Sequence, residues 1–237
     1  MNRISICFPY YLNAGMLAQQ YEAIRTYGKE HKANIEVIVV DDGSPRDFAA
    51  DVFRPDGLPR LRIFRMDEDV RWNQDACRNL AASQAEHEWL LLTDIDHVIP
   101  AQTIRRLCEM KLNPGTAYKF SRVSAPDLSP YKPHPNSWLM TRTLYDRVGG
   151  YHERFAGYYG TDEMFRDGIN RIAPIVLLKD TIIRFPREVI PDASTTTYTR
   201  KEDWDGENIR RIKSEIAALP AKDQRPKRGR FSWSQVL

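Results

Sequence analysis

Two aspartates that follow an apolar run have the spacing of a metal site. Residues 89–93 form an apolar segment typical of a buried strand, and it leads directly into Asp94-Ile95-Asp96. Residues i and i+2 of an extended segment project to the same side, so the two carboxylates repel each other unless a cation or donor groups neutralise them. Magnesium and manganese bind carboxylates together with substrate phosphates. The triplet therefore indicates a site for a metal-bound diphosphate, although such a short motif is a weak signal when it stands alone.

A second acidic pair also follows an apolar run. The segment 35–40 predicts a strand, and it continues into Asp41-Asp42-Gly43-Ser44. Ligands of open α/β sheets bind outside the carboxyl ends of the strands. The two acidic pairs are therefore expected at one crevice, although Asp, Gly and Ser are also ordinary turn residues.

The elements that position these carboxylates alternate between strands and helices along the chain. Short apolar runs predict strands over 4–8, 35–40, 61–64, 89–93 and 175–185. Apolar residues at helical spacing predict helices from Asn13 as N-cap, over 73–85, after Pro100, over 161–171 and over 207–219. This alternation is typical of βαβ units. We expect an α/β fold with a mainly parallel central sheet flanked by helices, formed as a single domain over 1–220.

Two segments depart from that alternation. Residues 118–141 are irregular and rich in proline and serine, and we expect them to line the site rather than form another βαβ unit. Residues 221–237 carry a cluster of basic side chains followed by Phe231 and Trp233, which predicts a basic, flexible tail. Basic residues interleaved with aromatics also suit contact with nucleic acid.

The composition excludes several classes of protein. The formal net charge is +3, so the total charge predicts no polyanionic partner. Three cysteines without CxxC spacing are no disulfide framework and suit a reducing compartment. No apolar segment approaches the roughly 20 residues that cross a bilayer. A cytoplasmic location is the resulting expectation, and the oligomeric state is left open.

The motifs taken together resemble the family 2 glycosyltransferases of the GT-A fold, which is Rossmann-like. The resemblance is carried in order by segments 39–44, 76–80 and 91–96, then by the GGYHERF run from Gly149 and the GTDEMF run from Gly160. The stretch TDIDHVIP from Thr93 is also similar to the corresponding motif of the β-1,4-galactosyltransferases. The resemblance spans about residues 3–185 and implies transfer of a sugar from a nucleotide-sugar to a hydroxyl group.

The resemblance implies a nucleotide site on the first half of the chain. Pro9 and Tyr10 would form the wall beside the base. Asp41 would accept a hydrogen bond from the base, with Asp42 shaping the pocket. Arg78 would contact the base or the diphosphate. UDP is the nucleotide that the family favours.

The resemblance also implies a metal ligand and a base. Asp96 would bind manganese or magnesium directly, and Asp94 would face the ribose or sugar and join the metal site. Asp162 would be the catalytic base of an inverting transfer, because a carboxylate beside the acceptor must take the hydroxyl proton. The usual acid before it is replaced by Thr161. No histidine follows His152 to serve as a further metal ligand, so Asp192 or a water would fill that place.

Alternatives stay open at this point. The segment 94–98 also fits the DxDx(T/V) pattern of haloacid-dehalogenase phosphatases, in which the first aspartate is the nucleophile. A non-catalytic nucleotide-binding module would bind the donor without transfer. Among acceptors, a saccharide or glycolipid is commonest for the family, and a hydroxymethylated base in DNA is the alternative that the basic tail suggests.

Overall fold

In the computed structural model, which describes residues 1–195 and 205–237, strands and helices alternate as far as the middle of the chain. The strands are β1 (Ile4–Tyr10), β2 (Ile35–Asp41), β3 (Arg60–Met66), β4 (Trp89–Leu92), β5 (His97–Val98), β6 (Ala117–Ser124), β7 (Ser129–Tyr131), β8 (Trp138–Thr141), β9 (Ile175–Arg184) and β10 (Trp233–Gln235). The helices are α1 (Ala14–Arg25), α2 (Lys29–Lys32), α3 (Gln74–Gln84), α4 (Ala101–Glu109), α5 (Arg142–Val148), α6 (Asp162–Asn170) and α7 (Gly206–Ala217).

The strands form one mixed sheet in the order β10-β3-β2-β1-β4-β8-β6-β9-β5, with β7 paired to β6. The β3-β2-β1-β4 half is parallel, as is the β6–β9 pair, whereas β8 runs antiparallel to both β4 and β6. The predicted α/β class with a central sheet flanked by helices is confirmed. The parallel half brings the carboxyl ends of β1, β2 and β4 to one edge, as the acidic pairs require.

Both faces of the parallel strands are covered. Alternate residues such as Ile6 and Leu91 join a core with α1 and α4, whereas Cys7 and Leu92 join a second core with α3 and α5. Burial on both faces explains why these strands read as continuous apolar runs. The rigid sheet therefore fixes the positions of the residues that follow β1, β2 and β4.

Helix α1 begins after Asn13 but is not capped by its side chain. The Asp192 carboxylate accepts hydrogen bonds from the backbone N–H groups of Gly15 and Met16, at 2.5 and 3.1 Å. A carboxylate is favourable at a helix N-terminus because it satisfies unpaired donors and the helix dipole. Asn13 is the N-cap residue, as predicted, but the carboxylate at this helix end comes from a residue far along the chain.

The irregular segment 118–141 is more ordered than its sequence suggested. It forms β6, β7 and β8, and the loop before β8 turns toward the carboxyl edge of the sheet. The long pairing of β6 with β9 anchors the segment. This part of the chain therefore enters the sheet and also lines the site, as described below.

The C-terminal segment, defined here as residues 225–237, lies against the domain, although the sequence suggested a flexible tail. Strand β10 pairs antiparallel with β3, and Trp233 packs edge-on to Phe64 with 5.5 Å between ring centroids. Glu153, which is 3% exposed, accepts hydrogen bonds from the backbone N–H groups of Gly229 and Arg230 at 3.0 and 2.7 Å. Phe231 also packs against the core, so the two aromatic residues that follow the basic cluster anchor this segment to the domain.

Among the helices within residues 1–195 and 205–237, none has the length and apolar character needed to cross a membrane.

Candidate active site

A cleft of about 350 Å³ opens at the carboxyl ends of β1, β2 and β4. Its walls come from the residues after these strands, the start of α3, the segment between β6 and β8, and the loop before α6. Seven of the eight residues that the sequence singled out for the site line it: Pro9, Tyr10, Asp42, Arg78, Asp94, Asp96 and Asp162. The eighth, Asp41, lies behind the wall.

Asp94 is held from two sides. Its Oδ1 lies 2.5 Å from Nη2 of Arg78, and its Oδ2 lies 3.3 Å from Nε2 of His134. Burial acts to raise the pKa of Asp94, but the positive charge of Arg78 and the contact with the His134 ring outweigh it and hold that pKa well below its usual range. The carboxylate is therefore ionised and has a fixed orientation at neutral pH.

Asp96 lies beside two stacked histidines. Its Oδ1 is 2.7 Å from Nδ1 of His97, and the His97 ring lies against the ring of His134 with centroids 4.1 Å apart. The other ring nitrogen of His97 lies 3.0 Å from Nη1 of Arg122. Within the described part of the chain, Oδ2 of Asp96 has no hydrogen-bond or ion-pair partner, so one carboxylate oxygen remains for a ligand at the cleft.

Arg78 extends from α3 into the cleft with its side chain almost wholly buried. Besides Asp94, it contacts Oδ1 of Asp75 at 3.1 Å and Oε1 of Gln74 at 3.0 Å, and its guanidinium lies over the ring of Tyr151. Burial acts to lower the pKa of Arg78, but attraction to Asp94 and other acidic groups raises it overall. Two carboxylates therefore neutralise this buried cation in the protein itself.

Asp75 is a site residue that no sequence motif indicated. It is 8% exposed, lines the cleft and accepts a hydrogen bond from the Thr161 hydroxyl at 3.2 Å. Burial raises the pKa of Asp75 to about 6, against the opposing attraction of Arg78. Its position three residues before Arg78 on a helix was the available signal, because residues at that spacing share a face.

Asp162 is the first residue of α6. Its Oδ1 accepts a hydrogen bond of 2.6 Å from the side-chain amide of Asn136, whose own oxygen accepts one of 3.4 Å from the Tyr151 hydroxyl. Oδ2 of Asp162 has no polar partner in residues 1–195 and 205–237. The amide thus fixes the rotamer of the carboxylate while one oxygen remains available.

Asn136 was also missed from the sequence, and so was Lys119, which supports its loop. The ammonium of Lys119 donates hydrogen bonds to the carbonyl groups of His134 and Pro135 and lies over the ring of Trp138 at 4.0 Å. Burial lowers the pKa of Lys119 to about 7. No local pattern pointed to these residues, since they reach the site only through the packing of β6 and β8.

Asp41 and Asp42 have different surroundings. Both oxygens of Asp41 accept backbone hydrogen bonds of 2.9 Å, one from Ser44 and one from Ala49. These contacts hold the loop after β2. Asp42 instead lines the cleft, and burial raises its pKa well above the usual range.

Gly43 follows the two aspartates and has φ of +69°. A Cβ at this position would lie 2.4 Å from the Glu68 carbonyl oxygen, so the turn requires glycine.

Pro9 and Tyr10 end β1 and form part of one wall. The Tyr10 hydroxyl donates to the carbonyl of Asp47, which ties the wall to the loop after β2. Trp72 and Tyr159 bring a further aromatic surface, with ring centroids 4.7 Å apart. Aromatic faces of this kind suit a nucleobase or the apolar face of a sugar.

The residues present fit a divalent cation only if substrate completes its shell. Across the described residues, no group of three or more His, Cys, Asp or Glu side chains is arranged to hold a metal ion. Among the described residues, one carboxylate oxygen of Asp96 has no partner, whereas both oxygens of Asp94 have partners. A single carboxylate plus substrate phosphates and water is an ordinary environment for magnesium. Asp192, considered above as a further ligand, is occupied at the N-terminus of α1.

Residues 5–171 match the family model described as glycosyl transferase family 2. This match covers most of the chain, and the protein therefore belongs to glycosyl transferase family 2. No curated protein sequence gives a significant match.

Solved structures of low sequence identity show the same fold. The structure of S. aureus TarS 1-349 in complex with UDP-GlcNAc has a TM-score of 0.68 at 19% identity, covering 94% of this chain and 69% of that chain. The mannosyltransferase PcManGT from Pyrobaculum calidifontis, in complex with GDP-Man and Mn2+, has a TM-score of 0.54 at 16% identity, covering 90% of this chain and 62% of that chain. The predicted GT-A fold is confirmed.

Proposed function

We propose that this glycosyltransferase moves a sugar from a nucleotide-sugar, with UDP as the favoured nucleotide, to an acceptor hydroxyl with inversion at the anomeric carbon. One observation carries the proposal. Asp96 and Asp162, each with an unpartnered carboxylate oxygen among the described residues, line the same cleft of a family 2 chain.

The donor half of the proposal assigns one end of the cleft to the nucleotide. Pro9, Tyr10 and Asp42 border the base, and Arg78 with Asp94 forms a neutral pair beside it. Asp96 would hold manganese or magnesium. When bound, the cation would supply Lewis-acid stabilisation of the charge on the departing diphosphate. Asp94, which Arg78 and His134 hold in a fixed orientation, faces the ribose or sugar.

The acceptor half assigns the base. Asp162 takes the proton of the acceptor hydroxyl on its free oxygen while the oxygen–carbon bond to the sugar forms. The bond between the anomeric carbon and the phosphate oxygen breaks at the same time, and the nucleoside diphosphate leaves with the electron pair. Asn136 keeps the carboxylate oriented toward the reaction. A single displacement of this kind gives inversion.

A saccharide or glycolipid is the favoured acceptor. Of the described residues that line the cleft, none belongs to 221–237, and Arg228 of that segment is paired with Asp146 at 3.0 Å. The basic tail therefore adds no support for modified DNA as acceptor. The structure adds no support for the phosphatase alternative either. That alternative requires Asp94 as the nucleophile, and both of its carboxylate oxygens are engaged by Arg78 and His134.

Calorimetric binding of UDP and GDP tests the proposal. We expect UDP to bind with manganese and to lose affinity by about tenfold or more with chelator or in Asp96→Ala. Asp56→Ala, which removes an exposed carboxylate away from the cleft, is the matched control and binds as wild type does. No binding of either nucleotide under any metal condition refutes the donor site, and equal binding by Asp96→Ala refutes the metal assignment.

A further inference from the structure

Two arginines lie over the same tyrosine ring at the cleft. The guanidinium carbon of Arg122 is 4.6 Å from the ring centroid of Tyr131, and that of Arg184 is 5.3 Å from it. Lys132 follows Tyr131 in the chain, and all four residues line the cleft. None of them was singled out from the sequence, and the mechanism above uses none of them.

Among the residues that the structure describes, these three cations lack the carboxylate partners that Arg78 has. Arg122, only 6% exposed, donates from Nε to the Lys132 carbonyl at 2.7 Å and contacts His97. Within residues 1–195 and 205–237, neither arginine forms a salt bridge with a carboxylate, and the side chain of Lys132 has no polar partner. Arg184 and Arg122 repel each other, while Asp96 attracts Arg122 without touching it. The pair of arginines is therefore stabilised by any anion that enters beside Tyr131.

The backbone places this cluster next to the carboxylate assigned to the cation. Arg184 is paired with His97 across the β5–β9 ladder, and the N–H of Phe185 donates to the carbonyl of Asp96 at 2.8 Å. A phosphate group near Asp96 would thus have Arg184 as a neighbour on the adjacent strand. Guanidinium groups match phosphate oxygens with two parallel hydrogen bonds, and lysine adds a mobile point charge.

We infer that Arg184 and Lys132, with Tyr131 and Arg122 behind them, form an anion subsite that takes a phosphate group. The inference rests on the proposed transferase function for its setting, because two sources of phosphate then exist. One is the diphosphate of the donor, and the other is a phosphate group carried by the acceptor. Both would be bound by the same chemistry.

Calorimetry with simple anions tests the subsite without an identified acceptor. The variants are Arg184→Gln, Lys132→Gln and the double variant, and the probes are pyrophosphate, inorganic phosphate, uridine and UDP in magnesium buffer. We expect the double variant to bind pyrophosphate about tenfold or more weakly than wild type and to bind uridine equally well. Lys179→Gln on β9 removes an exposed charge outside the cleft and is the matched control. Near-ultraviolet circular dichroism verifies that each variant is folded.

The affinity of the double variant for UDP distinguishes the two sources of phosphate. Equal losses for pyrophosphate and UDP assign the subsite to the donor diphosphate. Unchanged UDP affinity, with inorganic phosphate binding to UDP-saturated wild type but not to the double variant, assigns it to a phosphate-bearing acceptor. The subsite is refuted if the double variant binds every anion with an affinity within about twofold of that of wild type. It is also refuted if Lys179→Gln loses as much affinity for pyrophosphate as the double variant does. Failure of wild type to bind uridine or UDP would instead refute the proposed donor site, while the pyrophosphate comparison would still test the subsite.

Discussion

Arg78 and Asp94 form an ion pair between two different elements, with 2.5 Å between Nη2 and Oδ1. Arg78 comes from α3, whereas Asp94 follows β4, and the two side chains are 2% and 24% exposed. The pair therefore joins the helix to the end of the strand and fixes the carboxylate that lies two residues before Asp96. The counter-charge of Asp94 is thus in place before any substrate arrives.

Breaking this pair should cost stability. Arg78→Met leaves Asp94 and Asp75 without their shared counter-charge, and loss of one partner of a buried pair costs about 3–5 kcal/mol. Adding Asp94→Asn to that variant removes one uncompensated charge, so we expect part of the loss to be recovered. Urea unfolding of the two single variants and the double variant measures the coupling.

An exposed ion pair supplies the control. Arg25→Met removes a partner of Glu22 at the surface, where such pairs contribute about 1 kcal/mol or less. If Arg78→Met were as stable as Arg25→Met, the ion pair would have no structural importance.

Asp75 should make stability depend on pH in a definite direction. Burial raises its pKa from 3.8 to about 6, so the folded protein holds the proton more tightly than the unfolded chain does. Well below pH 3.8 both states are protonated, and as the pH rises from there toward 6 ionisation disfavours the folded state. The two-unit shift corresponds to about 3 kcal/mol.

The comparison with Asp75→Asn isolates this contribution from those of other carboxylates. We expect the free energy of unfolding of wild type, relative to that of the variant, to fall between about pH 4 and pH 7. Urea unfolding at several pH values in that range gives the difference. A difference that stays flat or rises with pH would show that the Asp75 pKa is not raised.

The parallel half of the sheet was predictable because burial on both faces leaves continuous apolar runs. Even there the strand ends were missed, since β1 continues through Pro9 to Tyr10. The proline lacks an N–H, but the Tyr10 carbonyl still accepts from the N–H of Asp42 at 2.8 Å. Strands β6 and β8 were missed because their proline- and serine-rich surroundings suggested an irregular loop.

The site residues, like the strands, were predictable only in part. Asp94 and Asp96 could be found because a strand end places them at the crevice, and family motifs pointed to Asp162. His134 and Asn136 could not, because they meet Asp94 and Asp162 only after β8 joins the sheet. Asp192, which the resemblance offered beside a water as a further ligand, accepts hydrogen bonds at the N-terminus of α1, a contact that the sequence did not predict.

Asp162 and Asn136 should affect turnover more than donor binding. Asp162→Asn removes the proton acceptor, and loss of a general base costs about 10²–10⁴ in rate. Asn136→Ala leaves the Asp162 carboxylate in place but removes the hydrogen bond that fixes its rotamer, so we expect a smaller loss of kcat.

Steady-state kinetics with a confirmed donor and acceptor gives kcat and KM, and calorimetry gives donor affinity. Asp167→Asn, an exposed position on the same helix, is the control. A large loss of donor affinity in Asp162→Asn with normal turnover would contradict the assignment.

Glu153 should hold the C-terminal segment in place. Its carboxylate accepts from the Asn79 side chain at 2.9 Å as well as from the backbone of Gly229 and Arg230. Glu153→Gln replaces one acceptor oxygen by a donor, so a buried N–H loses its partner at a cost of about 1–3 kcal/mol. We expect a lower midpoint of thermal unfolding and faster tryptic cleavage within 225–230.

Glu215→Gln, which alters an exposed ion pair, is the control and should change neither the midpoint nor the cleavage rate. Equal rates of tryptic release from Glu153→Gln and wild type would show that β10 and its contacts with β3 hold the segment without this carboxylate.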